Sequence, residues 1–188
     1  MIIYGADGTS ILTENSTGYK YVTISTSGVL TENTSINYSI KHPLTFIYGG
    51  SIYDWYTTSS GYQNHILWNQ SKKSQYDPCP DGWCIAEDGT WNDYTSQSAP
   101  YYIQGIATES GNYYQTNGLL YNHISWYPST GYRGQASGVV TNSGNLGFSW
   151  SSTTDDIHAL DLNFGIGRFN HSKPDSRACG MPVRCIQE

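Results

Sequence analysis

The chain has 188 residues and a formal charge of −6, which suits one domain or one domain with a small N-terminal extension. Only 13% of residues are charged and no Lys/Arg cluster occurs, which argues against a nucleic-acid backbone as partner. No apolar run approaches the roughly 18 residues of a membrane span, and Met1-Ile-Ile-Tyr4 lacks the basic start and long apolar core of a signal peptide.

With 17 Tyr and 6 Trp against 4 Phe, most aromatic rings carry a polar tip. Tyr and Trp among Ser, Thr, Asn and Gly is the mixture of antibody-type binding loops, although Tyr and Thr also simply favour strands. Few charges and four cysteines point to an extracellular, cell-surface or virion setting. A cytoplasmic chain or an excised fragment are the alternatives.

Residues 1–42 are expected to form short β segments, a small layer or the remains of a preceding domain. Tyr19-Lys-Tyr-Val-Thr-Ile-Ser25 and Ile36-Asn-Tyr-Ser-Ile40 have strand composition, and Ala6-Asp-Gly8, Ser16-Thr-Gly18 and Ser27-Gly28 supply turns. From Pro43 the texture changes, and residues 43–188 are expected to be the main domain. Leu44-Thr-Phe-Ile-Tyr48 is a strand candidate, followed by an aromatic loop region. Tyr76-Asp-Pro-Cys-Pro-Asp-Gly-Trp83 holds two prolines and a glycine and must be irregular. Ala86-Glu-Asp-Gly-Thr-Trp-Asn-Asp-Tyr94, acidic at its start, is expected to be a short helix. Beyond it, residues 101–106, 119–126 and 160–164 have β patterning between Gly/Asn/Ser turns. No internal repeat occurs. The expected class is α+β and β-dominated, with one or two short helices and long ordered loops.

Leu160-Asp-Leu-Asn-Phe164 alternates with period two. Leu160, Leu162 and Phe164 are expected to face the core, with Asp161 and Asn163 on the opposite, displayed face. Two motif-like blocks, Gly147-Phe-Ser-Trp-Ser-Ser-Thr-Thr154 and Arg177-Ala-Cys-Gly-Met-Pro-Val-Arg-Cys185, flank some twenty residues without pattern. A fixed frame around arbitrary polar residues is the organisation of a recognition surface.

Catalytic and metal patterns are weak. His42, His65, His123, His158 and His171 are scattered without His-x-x-x-His or Cys-x-x-Cys pairing, and the aspartates do not follow a calcium-loop spacing, so no metal and no cofactor is expected. Serines and histidines are abundant, but no nucleophile elbow is present. Glu87, Asp88, Asp93 and Glu109 could serve glycoside hydrolysis, but no pair stands out and solvated surface acids account for them. Cys79, Cys84, Cys179 and Cys185 allow three connectivities. A Cys79–Cys185 bridge would close a loop of roughly 100 residues, worth about 4–5 kcal/mol in the chain-entropy model; Cys84 and Cys179 could then pair or remain thiols.

The Cys-Pro-Asp-Gly-Trp block, Gly131-Tyr-Arg133, Trp150-Ser-Ser-Thr153, Ala159-Leu-Asp-Leu-Asn-Phe164 and the terminal Arg-Ala-Cys-Gly-Met-Pro-Val-Arg-Cys occur in that order. Together they resemble the bacterial major paralogous domain proteins, which carry Cys-Pro-x-Gly-Trp-Arg-Val-Pro and end in Arg-Ala-x-Gly-Phe-Ser-Val-Arg-Cys. The C-terminal frame is also similar to that of the variable proteins of diversity-generating retroelements from gut bacteria and their phages. The resemblance covers roughly residues 43–188. It implies a C-type-lectin-like fold used as a display scaffold, in which adenine mutagenesis varies chosen codons.

The variable, ligand-contacting positions implied here are Asp155, Asp156, Ile157, His158, Asp161, Asn163, Ile166, Arg168, Asn170, His171, Lys173, Asp175 and Cys179. Leu160, Leu162, Phe164 and Val183 would be framework. The resemblance also supports a Cys79–Cys185 bridge, because such folds commonly tie a cysteine near the first helix to the last strand. Cys84-Ile-Ala86 departs from the family's Arg-Val-Pro. Trp91-Asn-Asp93 mimics a lectin calcium motif, but lies too early in the chain and is expected to pack a helix through a buried Trp91. The implied function is non-catalytic binding or adhesion to a protein or glycan ligand on a cell or phage surface. The alternatives are a carbohydrate-binding module or carbohydrate-active enzyme with Trp/Tyr stacking platforms, or a structural pilus or surface subunit.

Overall fold

All regular secondary structure among the described residues is β, as the Tyr-, Thr- and Ser-rich composition favours. The structure is a computed structural model and describes residues 19–21, 45–48, 54, 63–68, 72–102, 109–110, 113–114, 117–166 and 168–188. The boundary expected at Pro43, most of residues 1–42 and much of the aromatic loop region lie outside them.

β1 (Tyr19–Tyr21) runs parallel to β2 (Phe46–Tyr48), within two of the expected strand segments. β3 (Trp83–Ile85) follows the Pro-Cys-Pro turn. β4 (Tyr101–Tyr102) joins an antiparallel three-stranded sheet with β7 (Gly118–Tyr121) and β8 (Ser125–Pro128), in the order β4-β7-β8. β5 (Glu109–Ser110) pairs with β6 (Tyr113–Tyr114), and β9 (Tyr132–Arg133) with β10 (Val140–Thr141). The longest strands come next: β11 (Gly147–Asp155), β12 (His158–Gly165) and β13 (Arg168–Ser176) form an antiparallel meander with β12 in the centre. β14 (Cys185–Gln187) closes the chain antiparallel to β3.

The helix expected over residues 86–94 is absent, and consecutive turns replace it. Thr90, Asn92 and Tyr94 donate their N–H groups to Glu87, Gly89 and Trp91, each three residues back. Gly89 sits at φ +95°, a left-handed conformation that ends any right-handed helix. Trp91 is nevertheless buried, at 0% exposure, so its packing role is met from a turn.

Trp91 centres the hydrophobic core with Ala86, Tyr94, Ala99, Leu119, Leu162 and Phe164, and Tyr101, Tyr121, Tyr127, Phe169 and Ile186 pack around it. The core lies between one face of the β11–β12–β13 sheet and the β4–β7–β8 sheet. Fully burying a Leu or Phe contributes about 1.5–3 kcal/mol. Gly147 stands opposite Phe164 in the register, and a Cβ there would lie 1.9 Å from the Phe164 ring. The first residue of the Gly-Phe-Ser-Trp block is therefore a glycine for packing reasons.

The terminal segment locks behind β11. Trp150 donates its N–H to Pro182 O (2.9 Å) and Ser152 to Ala86 O (2.9 Å), so the outer edge of β11 is paired as well. Cys79 and Cys185 are joined in a disulfide that closes 106 residues of chain, while Cys84 and Cys179 are buried free thiols. The irregular segment before β3 is pinned from inside. Asp77 accepts N–H bonds from Cys79 (2.8 Å) and Ile85 (3.3 Å), and Lys73 Nζ donates to the carbonyls of Cys79, Pro80 and Trp83.

Candidate ligand-binding surface

The unpatterned residues between the two motif blocks fall on the β11–β12–β13 meander and its connections. Directly paired residues project to the same side of an antiparallel sheet, so the register sorts them. Leu162 and Phe164 enter the core. On the opposite side Asp161 lies between Trp150 of β11 and Lys173 of β13, and Asn163 between Phe148 and Asn170.

Asp161 and Asn163 are not displayed: both are 0% exposed. The alternation holds for Leu162 and Phe164, while Leu160 is only half-buried, and the second face of β12 is covered too. Phe148, on that face beside Asn163, packs its ring 4.9 Å from Tyr132 of β9. Cys179, which follows β13, is buried as well and bonds through its Sγ to Gln135 Oε1 at 3.1 Å. A layer built from the chain around residues 129–146 and 177–183 thus closes the side expected to be open. Asn163 Nδ2 reaches Gly147 O at 3.5 Å. Burial pushes the Asp161 carboxyl up to about 8, with Asp175 raising it further and Lys173 opposing. Burial likewise raises the Cys179 thiol to about 11, so it is a protonated interior group rather than a displayed one.

Solvent reaches the remaining positions in two zones. The first is the β11–β12 hairpin, closed by the Asp155↔His158 pair. Asp155 and Asp156 are exposed, Ile157 and His158 are half-buried, and Asp156 adopts φ 48°, a left-handed conformation that aspartate tolerates better than most residues. Arg177 holds this hairpin from beneath: Nε donates to His158 O (3.1 Å), and Nη2 lies 2.5 Å from Asp156 O and 2.7 Å from His65 Nδ1.

The second zone is β13, an edge strand whose partner among the described residues is β12. Asn170, Ser172 and Pro174 are exposed; Arg168, His171, Lys173 and Asp175 are half-buried, as is Ile166 in the preceding turn. A bulge between Asp161 and Asn163 sets two residues of β13, His171 and Ser172, against Leu162 alone. His171 keeps to the core side with Phe169, its ring 4.8 Å from Phe169 and its Nε2 3.3 Å from Tyr94 O, and the extra residue brings Lys173 onto the Asp161 face. Lys173 forms an ion pair with Asp175. Bulge, Lys173 and Pro174 together blunt an edge that would otherwise recruit another strand.

The expected set is therefore not one face. Asp155, Asp156, Asn170, Ser172 and Pro174 are exposed in a strip along β13 and around the hairpin, with Ile157, His158, Ile166, Arg168, Lys173 and Asp175 half-buried among them. Asp161, Asn163 and Cys179 lie beneath it, and His171 faces the core. The strip follows roughly 26 Å of strand at 3.3 Å per residue.

Two arrangements carried little signal in the sequence. Arg177 belonged to the frame motif, with nothing to mark it as the clamp of the hairpin. Tyr94 stacks on Tyr121 (4.2 Å) and meets Tyr127 edge-on (5.4 Å), and the Arg184 guanidinium lies 4.1 Å above the Tyr127 ring. Tyr94 is buried in the core, and Tyr121 and Tyr127 are half-buried around it. A cavity of about 330 Å³ opens beside the covered face of the sheet, lined by Phe46, Trp68, Trp150, Met181 and Val183 together with Arg177 and Cys179. The Asp161–Asp175 carboxyl pair is no glycosidase pair, since Asp161 has no access to a sugar. No helix among the described residues is long and apolar enough to cross a membrane. No family model, no curated protein and no solved structure matches the chain.

Proposed function

We propose that the protein is a non-catalytic binding or adhesion protein that presents a variable recognition surface on a C-type-lectin-like scaffold, as in the variable proteins of diversity-generating retroelements. The observation that carries this reading is the contrast within one sheet. The central strand from Asp161 to Gly165 is wholly buried, while β13 and the Asp155–Asp156 tip expose polar side chains on top of it. Such a sheet keeps its backbone when exposed residues change, because the energy that fixes it lies in Trp150, Leu162, Phe164 and their partners.

The ligand on this reading is a protein or glycan at a cell or phage surface, engaged by Asp155, Asp156, His158, Asn170, Ser172, Lys173 and their neighbours. The coding DNA tests it. A nearby, near-identical template repeat should differ from residues 155–176 at adenines, and sister copies should differ at exposed positions. Differences spread evenly along the chain would contradict diversification. Because Asp161 and Asn163 are interior, sister copies should vary least there within the stretch, and Cys179, interior just beyond it, should be as constant.

A further inference from the structure

Both carboxyl oxygens of Asp161 are buried without a hydrogen-bond partner among the described residues. A buried carboxylate in that position leaves an uncompensated charge, one of the costlier arrangements a fold can contain. Lys173 stands directly across the ladder, but its ammonium is turned to Asp175, two residues on along the same side of β13. Asp175 is also the polar side chain that lies against Asp161, and its charge raises the Asp161 pKa. Two carboxylates are acceptors only. They become a hydrogen bond when one of them keeps a proton.

We infer that Asp161 is a proton-dependent latch: protonated, it donates to Asp175 and holds the edge strand β13 on β12; ionised, it loosens that strand. The groups that face it are few. From β13 they are Asp175, Lys173 and the more distant Arg168; from the turn after β13, the Cys179 thiol, held by Gln135; from β11 the register partner is Trp150, which does not titrate. Lys173 opposes ionisation-driven repulsion through Asp175 but leaves both Asp161 oxygens without a donor. The latch does not depend on what β13 binds.

The sign of the pH effect follows from proton counting. An unfolded aspartate ionises near pH 4, whereas in the folded chain Asp161 is pushed up to about 8. Between those values the folded state binds more protons, so the stability this group contributes is complete below about pH 4 and is lost as pH rises toward 8.

The test is a carbon-13 NMR titration of the Asp161 carboxyl in the full chain, with thermal melts at several pH values for wild type, Asp161→Asn and Asp175→Asn. The Asp161 signal should titrate well above the ordinary carboxylate range, as one step of a coupled pair. Asp175→Asn should lower that midpoint. Asp161→Asn, whose neutral amide replaces the protonated acid as donor, should flatten the fall in melting temperature between about pH 4 and 8. An Asp161 midpoint near 4 overturns the latch, as does an Asp161→Asn variant with the wild-type pH slope. Should Asp161→Asn fail to fold, the titration of the wild-type carboxyl decides alone.

Discussion

β12 and β13 are hydrogen-bonded neighbours that use the same residue types to opposite ends. Asp161 and Asn163 on β12 are sealed at 0% exposure, while Asn170 on β13 is exposed and Asp175 half-buried. Side-chain chemistry does not separate them; position in the sheet does. β12 is flanked by strands on both sides and covered on both faces, by the aromatic core and by the layer carrying Tyr132, Gln135 and Cys179. β13 has one strand partner among the described residues. Polarity on a central strand thus becomes an interior network, and polarity on an edge strand becomes a surface.

The largest effects should come from β12. Leu162→Ala and Phe164→Ala each remove a fully buried side chain and should cost about 2–5 and about 3–5 kcal/mol respectively in denaturant unfolding. A loss below about 1 kcal/mol would mean that β12 is not the frame. Next comes the bridge that fastens the terminal segment behind β11. Replacing Cys79 and Cys185 by Ser should cost about 2–5 kcal/mol, measurable as a drop in melting temperature that reductant reproduces in wild type and not in the variant. Gly147→Ala drives a methyl into the Phe164 ring and should cost about 1–3 kcal/mol. Its partial rescue by Phe164→Leu would confirm that the clash is the cause.

The smallest effects belong to β13. Asn170→Ala and Ser172→Ala should each change stability by less than about 0.5 kcal/mol, and equal losses on both strands would erase the distinction between them.

The central strand β12 was legible in the sequence because period-two patterning is set by the strand itself: Leu162 and Phe164 are inside, as the alternation required, although Leu160 is only half-buried. β11 and β13 carry no such alternation and were not legible as strands. The display of Asp161 and Asn163 was not legible, because alternation separates the two faces of a strand without saying whether the second face is covered. The covering layer comes from residues some 15 to 30 positions away in either direction, Tyr132, Gln135 and Cys179 among them, and no local pattern announces it. The turns over residues 86–94 escaped because an acidic start and a buried Trp91 suit a helix end as well as consecutive turns; Gly89 was the clue that mattered. The bulge that brings Lys173 onto the Asp161 face has no residue signature at all, since it is a property of the pairing between β12 and β13.

The most direct test of the recognition surface is a glycan and protein array screened with the wild-type protein and two variants of unchanged melting temperature. One carries Asp155→Ala, Asp156→Gly, Asn170→Ala and Ser172→Ala; the other carries Trp83→Ala and Trp126→Ala, which remove half-exposed rings on β3 and β8. The account predicts that the ligand bound by wild type is lost from the first variant and retained by the second. Binding that survives the first set and disappears with the tryptophans would contradict it and favour a sugar-stacking module.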